Sequence, residues 1–538
     1  MKHNMTMLLL LTGLLSPRLS RAATYYIARN GSDQNPGTES LPLQHLPGME
    51  QWTGTHDPQA GDVFLLKKGD RWNTAITWTF SGDPNQPIIV SSYGSGPKPI
   101  IDATGAAHAL LIQDSANVTF QEIDFQGSDE TVVQVYDSSH LLFSQCHIHA
   151  CQSSDLYDSA MNFAGDCDNN RISDCSIGDT ESQMGDCLGF EGEWTDGEVV
   201  GPDGNIVEHS EFFGPAANGI YMRTGGTDNI IRYNFIHDIE GIAIQLRDRM
   251  TNTLVHNNLI RDCTGPVVQS DGVNSVCDDN CPADPAAMAG SRFINNTIYS
   301  LSTDSGTVNL FGENNRDGLG PCEFINNIVT CADSYCIQVE QQNADDFVVD
   351  YNVYYTPEQD TWVFYDGDTG YSTIEEWQIA SGQDSHSLLT SPRLTEQPPQ
   401  NRGDFLLAND SPCIDQGEPT DLFNDDFFGT TRPQGQGWDV GAVEFTTNPP
   451  PLDGSVEQDA GTDSTAPDQH DAESGQTRDG GHPDETDAAG DSGGNSRTGD
   501  TGGCSGCRAV ESQSASSAST WILLLFALAG IILLKRRI

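Results

Sequence analysis

From residue 109 to residue 354 the chain is a succession of short runs in which apolar and polar residues alternate. Gly219-Ile220-Tyr221-Met222-Arg223, Gly241-Ile242-Ala243-Ile244-Gln245, Thr307-Val308-Asn309-Leu310-Phe311 and Cys336-Ile337-Gln338-Val339-Glu340 show the pattern most clearly. A period of two predicts β-strands with one face buried. Ile220/Met222, Ile242/Ile244, Val308/Leu310 and Ile337/Val339 are then inward, and Tyr221/Arg223, Gln245, Asn309 and Gln338/Glu340 outward. Runs 109–115, 132–138, 160–166 and 187–193 fit the same frame. No helical period interrupts the region.

A second kind of run carries asparagine between apolar residues, as Tyr233-Asn234-Phe235-Ile236, Asn257-Asn258-Leu259-Ile260, Asn295-Asn296-Thr297-Ile298, Asn326-Asn327-Ile328-Val329 and Tyr351-Asn352-Val353-Tyr354. Runs 118–125, 141–148 and 172–177 match it upstream, with Cys146 and Cys175 in the asparagine slot. Aligning Asn234, Asn258, Asn296, Asn327 and Asn352 gives spacings of 24, 38, 31 and 25 residues. Repeats of that size, two strands to a unit, predict a solenoid in which stacking buries the apolar face that one unit cannot bury alone. The asparagines are predicted to be structural, each amide bonding its own turn and the amide stacked on it. A propeller would need four strands per repeat, and a leucine-rich repeat would show a leucine skeleton, which is absent.

Three further segments carry a family resemblance. They are Tyr25-Tyr26-Ile27-Ala28-Arg29-Asn30-Gly31-Ser32-Asp33 with Asn35-Pro36-Gly37-Thr38, Gly61-Asp62-Val63-Phe64-Leu65-Leu66-Lys67-Lys68-Gly69-Asp70, and Pro97-Lys98-Pro99-Ile100-Ile101-Asp102. At the other end stand Ser411-Pro412-Cys413-Ile414-Asp415-Gln416-Gly417, Arg432-Pro433 and Asp439-Val440-Gly441-Ala442-Val443-Glu444. Together these resemble the first and closing segments of right-handed parallel β-helix proteins of bacterial surfaces, which include polysaccharide lyases and glycosidases. The resemblance spans about residues 24–445 and implies an all-β, right-handed parallel β-helix; it does not fix the chemistry.

The ends add an address. Lys2 and His3, an apolar run over 7–15 and Ser20-Arg21-Ala22 predict a secretory signal over residues 1–22. Residues 446–503 are rich in Pro, Gly, Ser, Thr and Asp, nearly devoid of apolar residues, and predict a disordered acidic linker. Residues 504–538 hold Cys504-Ser505-Gly506-Cys507, an apolar stretch over 521–534 and Lys535-Arg536-Arg537. That order resembles myxobacterial-type C-terminal sorting domains, which implies a transmembrane helix, membrane association and display on the cell surface. Twelve cysteines precede residue 446, and in an exported chain they predict disulfides, with Cys146/Cys151, Cys277/Cys281 and Cys331/Cys336 as local pairs.

A net charge of −53 excludes nucleic acid as a partner, because that binding rests on basic contacts to phosphate. It makes Ca2+ the expected cofactor if one is used, and 421–426 the richest local oxygen set. A monomer binding extracellular or cell-wall polysaccharide along the outward face is expected. Glu191, Tyr221, Arg223, Arg247 and Asp248 form the candidate catalytic group, on three consecutive coils about 4.8 Å apart. Trp194, Gln245, Arg249, Asn309 and Gln338 are the candidate sugar-binding residues. Carboxylates two coils apart, such as Glu191 and Asp248, suit a hydrolase, whereas Arg223 or Arg247 with Tyr221 suits a lyase. The five lysines, Lys2, Lys67, Lys68, Lys98 and Lys535, all lie outside the central coils, so a lysine base is excluded there. The histidines His147, His149, His209, His237 and His256 show no shared face. A non-catalytic adhesin or envelope protein fits the same architecture.

Overall fold

Strands of three to six residues are too short to stand alone, and here each pairs with its counterparts in the preceding and following turns of chain. The computed structural model describes residues 22–449 apart from 152–157, 179–184, 196–197, 248, 264–267, 272–288, 301–306, 311–321, 333–334, 340–346 and 358–361. Among the described residues three sheets of twelve strands wind round one core. In one representative turn the chain passes from Ala116–Gln121 in sheet I to Asp124–Gln126 in sheet II, then to Val133–Tyr136 in sheet III, and back to Ser139–Ser144 in sheet I. Strands from successive turns pair in parallel, as Ser139–Ser144 does on Ala116–Gln121. Each coil therefore has three strands rather than the two predicted. The long asparagine-type runs are bent strand pairs, with the asparagine at the corner between sheets I and II.

That corner explains the repeated sequence. The residue before each asparagine adopts the left-handed conformation, with φ of 55° at Tyr233, 52° at Asn257, 55° at Asn295, 60° at Asn326 and 57° at Tyr351. A non-glycine residue is strained there, and the amide next to it compensates. Asn258 Oδ1 accepts the backbone N–H of Asn234 at 3.0 Å and its Nδ2 at 3.1 Å. Asn258 Nδ2 donates to Ile231 O at 2.9 Å. The same bonds run from Asn258 to Asn296, Asn296 to Asn327 and Asn327 to Asn352. Lower in the coil the slot holds Ser210, Cys175 and Cys146, as expected for small buried groups. A second ladder, not read from the sequence, lines the corner between sheets III and I: Asn170 N donates to Asn205, and Asn205 N to Asn229.

The inward residues make one continuous core. Phe120 stacks on Phe143 with centroids 5.3 Å apart, and Phe163 on Phe190 at 4.5 Å. Ile220 registers with Ile244 and Met222 with Leu246, so the predicted inward pair Ile242/Ile244 shifts by one step along the strand. Ile242 is half-buried over Asn218. Burial of this kind contributes about 1.5–3 kcal/mol per large side chain.

The closing segment lies across the outside of sheet II. Phe405, Leu407, Phe427, Val440 and Ala442 pack on Tyr233, Phe235, Leu259, Ile328 and Val353. Arg432 and Glu444, both fully buried, pair at 2.9 Å within it. Two of the three carboxylates of the 421–426 set are occupied by the protein. Asp425 accepts Tyr233 Oη at 2.6 Å, and Asp426 accepts the N–H groups of Phe428, Thr430 and Glu444.

The cysteine pairing differs from expectation. Cys331–Cys336 is a disulfide. Cys146 and Cys151 are both buried and are not bonded to each other. Cys146 sits in the asparagine slot beside Cys175, while the Cys151 thiol donates to Glu130 O, so the two serve different neighbours. Cys277 and Cys281 lie outside the described residues, as do the signal up to residue 21, all but the first four residues of the linker (446–449), and the C-terminal apolar segment. Among the described residues no helix is long and apolar enough to cross a membrane.

Candidate functional site on the third sheet

The outward face of sheet III is a ladder read one residue per coil: Leu111, Gln134, Asn162, Gly189, Tyr221, Gln245, Gln269, Asn309, Gln338 and Tyr365. Polar side chains therefore line up through most of its length, as the alternation predicted. Unlike a solvated face, however, the row is largely buried, with Tyr221 at 8%, Gln245 at 7% and Asn309 at 4% exposure. The side-chain oxygens of Asn162 and Asn309 are buried and have no hydrogen-bond partner among the described residues. Acceptors in that condition are suited to a hydroxyl donor. Gln338, half-buried, accepts Tyr335 Oη at 2.7 Å.

Gly189 interrupts this ladder. It places no side chain on the face between Asn162 and Tyr221, and a Cβ there would come within 2.5 Å of Asn162 Oδ1. The Asn162 side chain lies over that position. Glu191, two residues further along the same strand, pairs in register with Arg223, and Arg223 with Arg247. Three predicted residues are thus brought together as vertical neighbours. Glu191 Oε2 accepts Arg223 at 2.9 Å. The Arg223 guanidinium lies 5.6 Å from the Tyr221 ring centre. Burial raises the Tyr221 phenol above its ordinary range, while Arg223 and Arg247 oppose the shift.

Asp186 at the start of the strand was missed by sequence reasoning. It registers with Asn218, whose Nδ2 donates to Asp186 Oδ1 at 2.7 Å. Burial pushes its carboxyl up to about 7, with Glu191 adding to the rise and Asn218 and Arg223 opposing it. Two carboxyl groups thus stand on one strand, Glu191 paired with arginine and Asp186 raised by burial to about 7. The only signal for Asp186 in the sequence was an acid immediately ahead of an apolar strand.

Other predicted residues do not join this group. The strand ends at Glu191, and Glu193–Thr195 turns away into an antiparallel hairpin with Glu198–Val200. Trp194 therefore leaves the sheet, and its side chain lies outside the described residues. Asp248 lies outside them too. Arg249 is half-buried beyond the end of its strand, with φ of 71°, and so is not on the ladder.

The histidine reading is also corrected. His147 and His149 share the outer face of sheet II with Asp124, with their rings stacked 3.8 Å apart. Burial raises the Asp124 carboxyl, but hydrogen bonds from both histidines outweigh it and bring the group down to about 2.

A family model described as "Right handed beta helix region" matches residues 109–355, and the coil is a right-handed parallel β-helix. No curated protein matches the chain. Among solved structures the pectate lyase Pel9A is 15% identical, with 79% of this chain and 97% of that chain covered and a TM-score of 0.51. A GH136 lacto-N-biosidase from Eubacterium ramulus is 15% identical over 68% of each chain, with a TM-score of 0.44. PfbA, a surface adhesin of Streptococcus pneumoniae, is 11% identical over 59% of this chain and 87% of that chain, with a TM-score of 0.37. At 15% identity the likeness to Pel9A shows the coil and not the chemistry.

Proposed function

We propose that this chain is an exported, surface-displayed β-helix that binds extracellular polysaccharide along sheet III and hydrolyses it beside the strand that carries Asp186 and Glu191. The observation that carries the reading is a carboxyl raised to about 7, Asp186, on the same strand as the arginine-bound carboxylate of Glu191. A hydrolase needs one carboxyl that still holds its proton and one that is ionised, on either side of the glycosidic oxygen. Asp186, with its carboxyl at about 7, is the proton donor in this reading. Glu191, oriented by Arg223, is the base or nucleophile. Tyr221, Gln245 and Asn309 bind sugar, and Arg247 holds Tyr221. The likeness to Pel9A supports the architecture, and the predicted signal and C-terminal segment support export. A lyase acting through a central lysine is disfavoured, because the central coils contain none.

The test is a reducing-sugar assay on a glycan panel, with absorbance of unsaturated uronate read in parallel and calcium added or withheld. Asp186→Asn is expected to lower kcat about 10²–10⁴-fold while leaving glycan binding intact. Wild-type activity should decline as pH rises through about 7, because the donor is then deprotonated. A rise in unsaturated products would replace the hydrolase with a lyase.

A non-catalytic glycan binder is the second reading, favoured by one observation: Glu191 is already neutralised by Arg223. Retention on a glycan without turnover at any pH would establish it.

A further inference from the structure

We propose that Asp124, His147 and His149 form a binding site for a divalent transition-metal ion, outside the groove and independent of the reaction assigned to it. The site lies on sheet II, whereas the proposed groove is on sheet III. Its construction follows from strand geometry. His147-Ile148-His149 is a complete three-residue strand, so period two turns both imidazoles outward while Ile148 is fully buried. The coil below supplies Asp124 in register with His147. Asp124 Oδ1 lies 3.0 Å from His149 Nε2, and Oδ2 lies 3.5 Å from His147 Nδ1. All three ligand atoms fall within 4.8 Å of one another.

Those separations match the demands of a small metal ion. Ligand bonds of about 2.0–2.2 Å at tetrahedral angles put neighbouring donor atoms about 3.4 Å apart. The two observed carboxylate–imidazole spacings, 3.0 Å and 3.5 Å, bracket that value. Each residue keeps part of its surface in solvent, which gives an ion a route in. The coil above places Gly178, which has no side chain, in register with His149. Elsewhere among the described residues carboxylates meet one imidazole each, as in His45–Asp33, His56–Asp62 and His386–Asp350. Asp124 alone meets two, and this is the one three-group set found among those residues.

The donor chemistry selects the ion. Two imidazoles and one carboxylate suit Zn2+, Co2+, Ni2+ or Fe2+, whereas calcium requires six to eight oxygen ligands. Three protein ligands leave a coordination position for water. Because the ligands come from two adjacent coils, the ion would clamp one coil to the next.

The experiment uses the full chain carrying Cys504→Ser and Cys507→Ser, which removes the one cysteine pair able to compete from the C-terminal segment. Zn2+ is titrated by calorimetry and Co2+ by absorption spectroscopy. The expected result is one saturable Zn2+ per chain, a higher melting temperature with Zn2+, and Co2+ bands without thiolate charge transfer. His149→Gln should weaken Zn2+ binding at least tenfold, while His237→Gln, a histidine in another coil of the same sheet, should leave it unchanged. Ca2+ should not compete. Absence of saturable Zn2+ binding, binding undiminished in the His147→Gln/His149→Gln double variant, or a thiolate spectrum would overturn the proposal. Circular dichroism confirms that each variant is folded. If the double variant unfolds, the single His149→Gln variant decides through its Co2+ spectrum.

Discussion

Replacing Glu444 by glutamine is expected to lower the free energy of unfolding by about 3–5 kcal/mol, the usual cost of breaking a buried ion pair from one side. Glutamine keeps the shape of the side chain and removes its charge. Arg432 would then be left with no exposed surface and no counter-ion at 2.9 Å. The remaining bonds of its guanidinium go to the backbone oxygens of Asp425, Asp439 and Gly441 and to Asn257 Oδ1, all neutral. Those oxygens satisfy the donors without balancing the charge. Glu444 also accepts the N–H groups of Gln434 and Asp439, so the substitution loosens the turn that presses Val440 and Ala442 onto sheet II. Urea unfolding followed by fluorescence measures the loss through the midpoint and slope. An Arg432→Met/Glu444→Leu double variant should be less damaged than Glu444→Gln alone, because no unpaired charge remains. A Glu444→Gln midpoint indistinguishable from wild type would show that the charge pair carries no weight.

The second large effect is expected at Asn258. Alanine there removes the acceptor for the backbone and side-chain N–H groups of Asn234, together with the donor to Ile231 O and Asn296 Oδ1. Asn258 is fully buried, so the abandoned groups gain no water. At about 1–3 kcal/mol for each buried group left unsatisfied, the loss is expected to reach about 2–5 kcal/mol. Serine should be milder, since Ser210 fills the equivalent slot and still accepts one backbone N–H through Oγ. Asn258→Ala combined with Asn296→Ala should cost less than the sum of the two, because they share a bond. Equilibrium unfolding of the four chains tests this, and strict additivity would mean that the ladder acts residue by residue.

Much of this architecture was legible because both of its signals are local. Alternation in 219–223 and 241–245 set the inward and outward faces, and the recurring asparagines marked the same corner of each coil. The third strand escaped notice because it follows the asparagine after one corner, with no loop between to separate the runs. The site was only partly legible. Glu191, Tyr221 and Arg223 could be placed side by side because their strands follow one another with recognisable apolar positions. Trp194 was misplaced because alternation persists through Glu193 although the sheet has ended at Glu191. The hairpin beyond depends on what it packs against, and no short pattern encodes that.

By itself the sequence determined that the chain coils, which residues enter the core and which asparagines stack, because side-chain period and hydrogen-bonding capacity belong to each short segment. Tertiary structure alone decided that Asp186 is buried enough to hold a proton near neutrality, that Glu191 meets Arg223, and that Asp124 stands beneath His147. Those are contacts between coils, separated by 32 residues for Glu191 and Arg223 and by 25 for His149 and Asp124. Coil length varies with each insertion, so which side chains become vertical neighbours is settled only when the strands have paired.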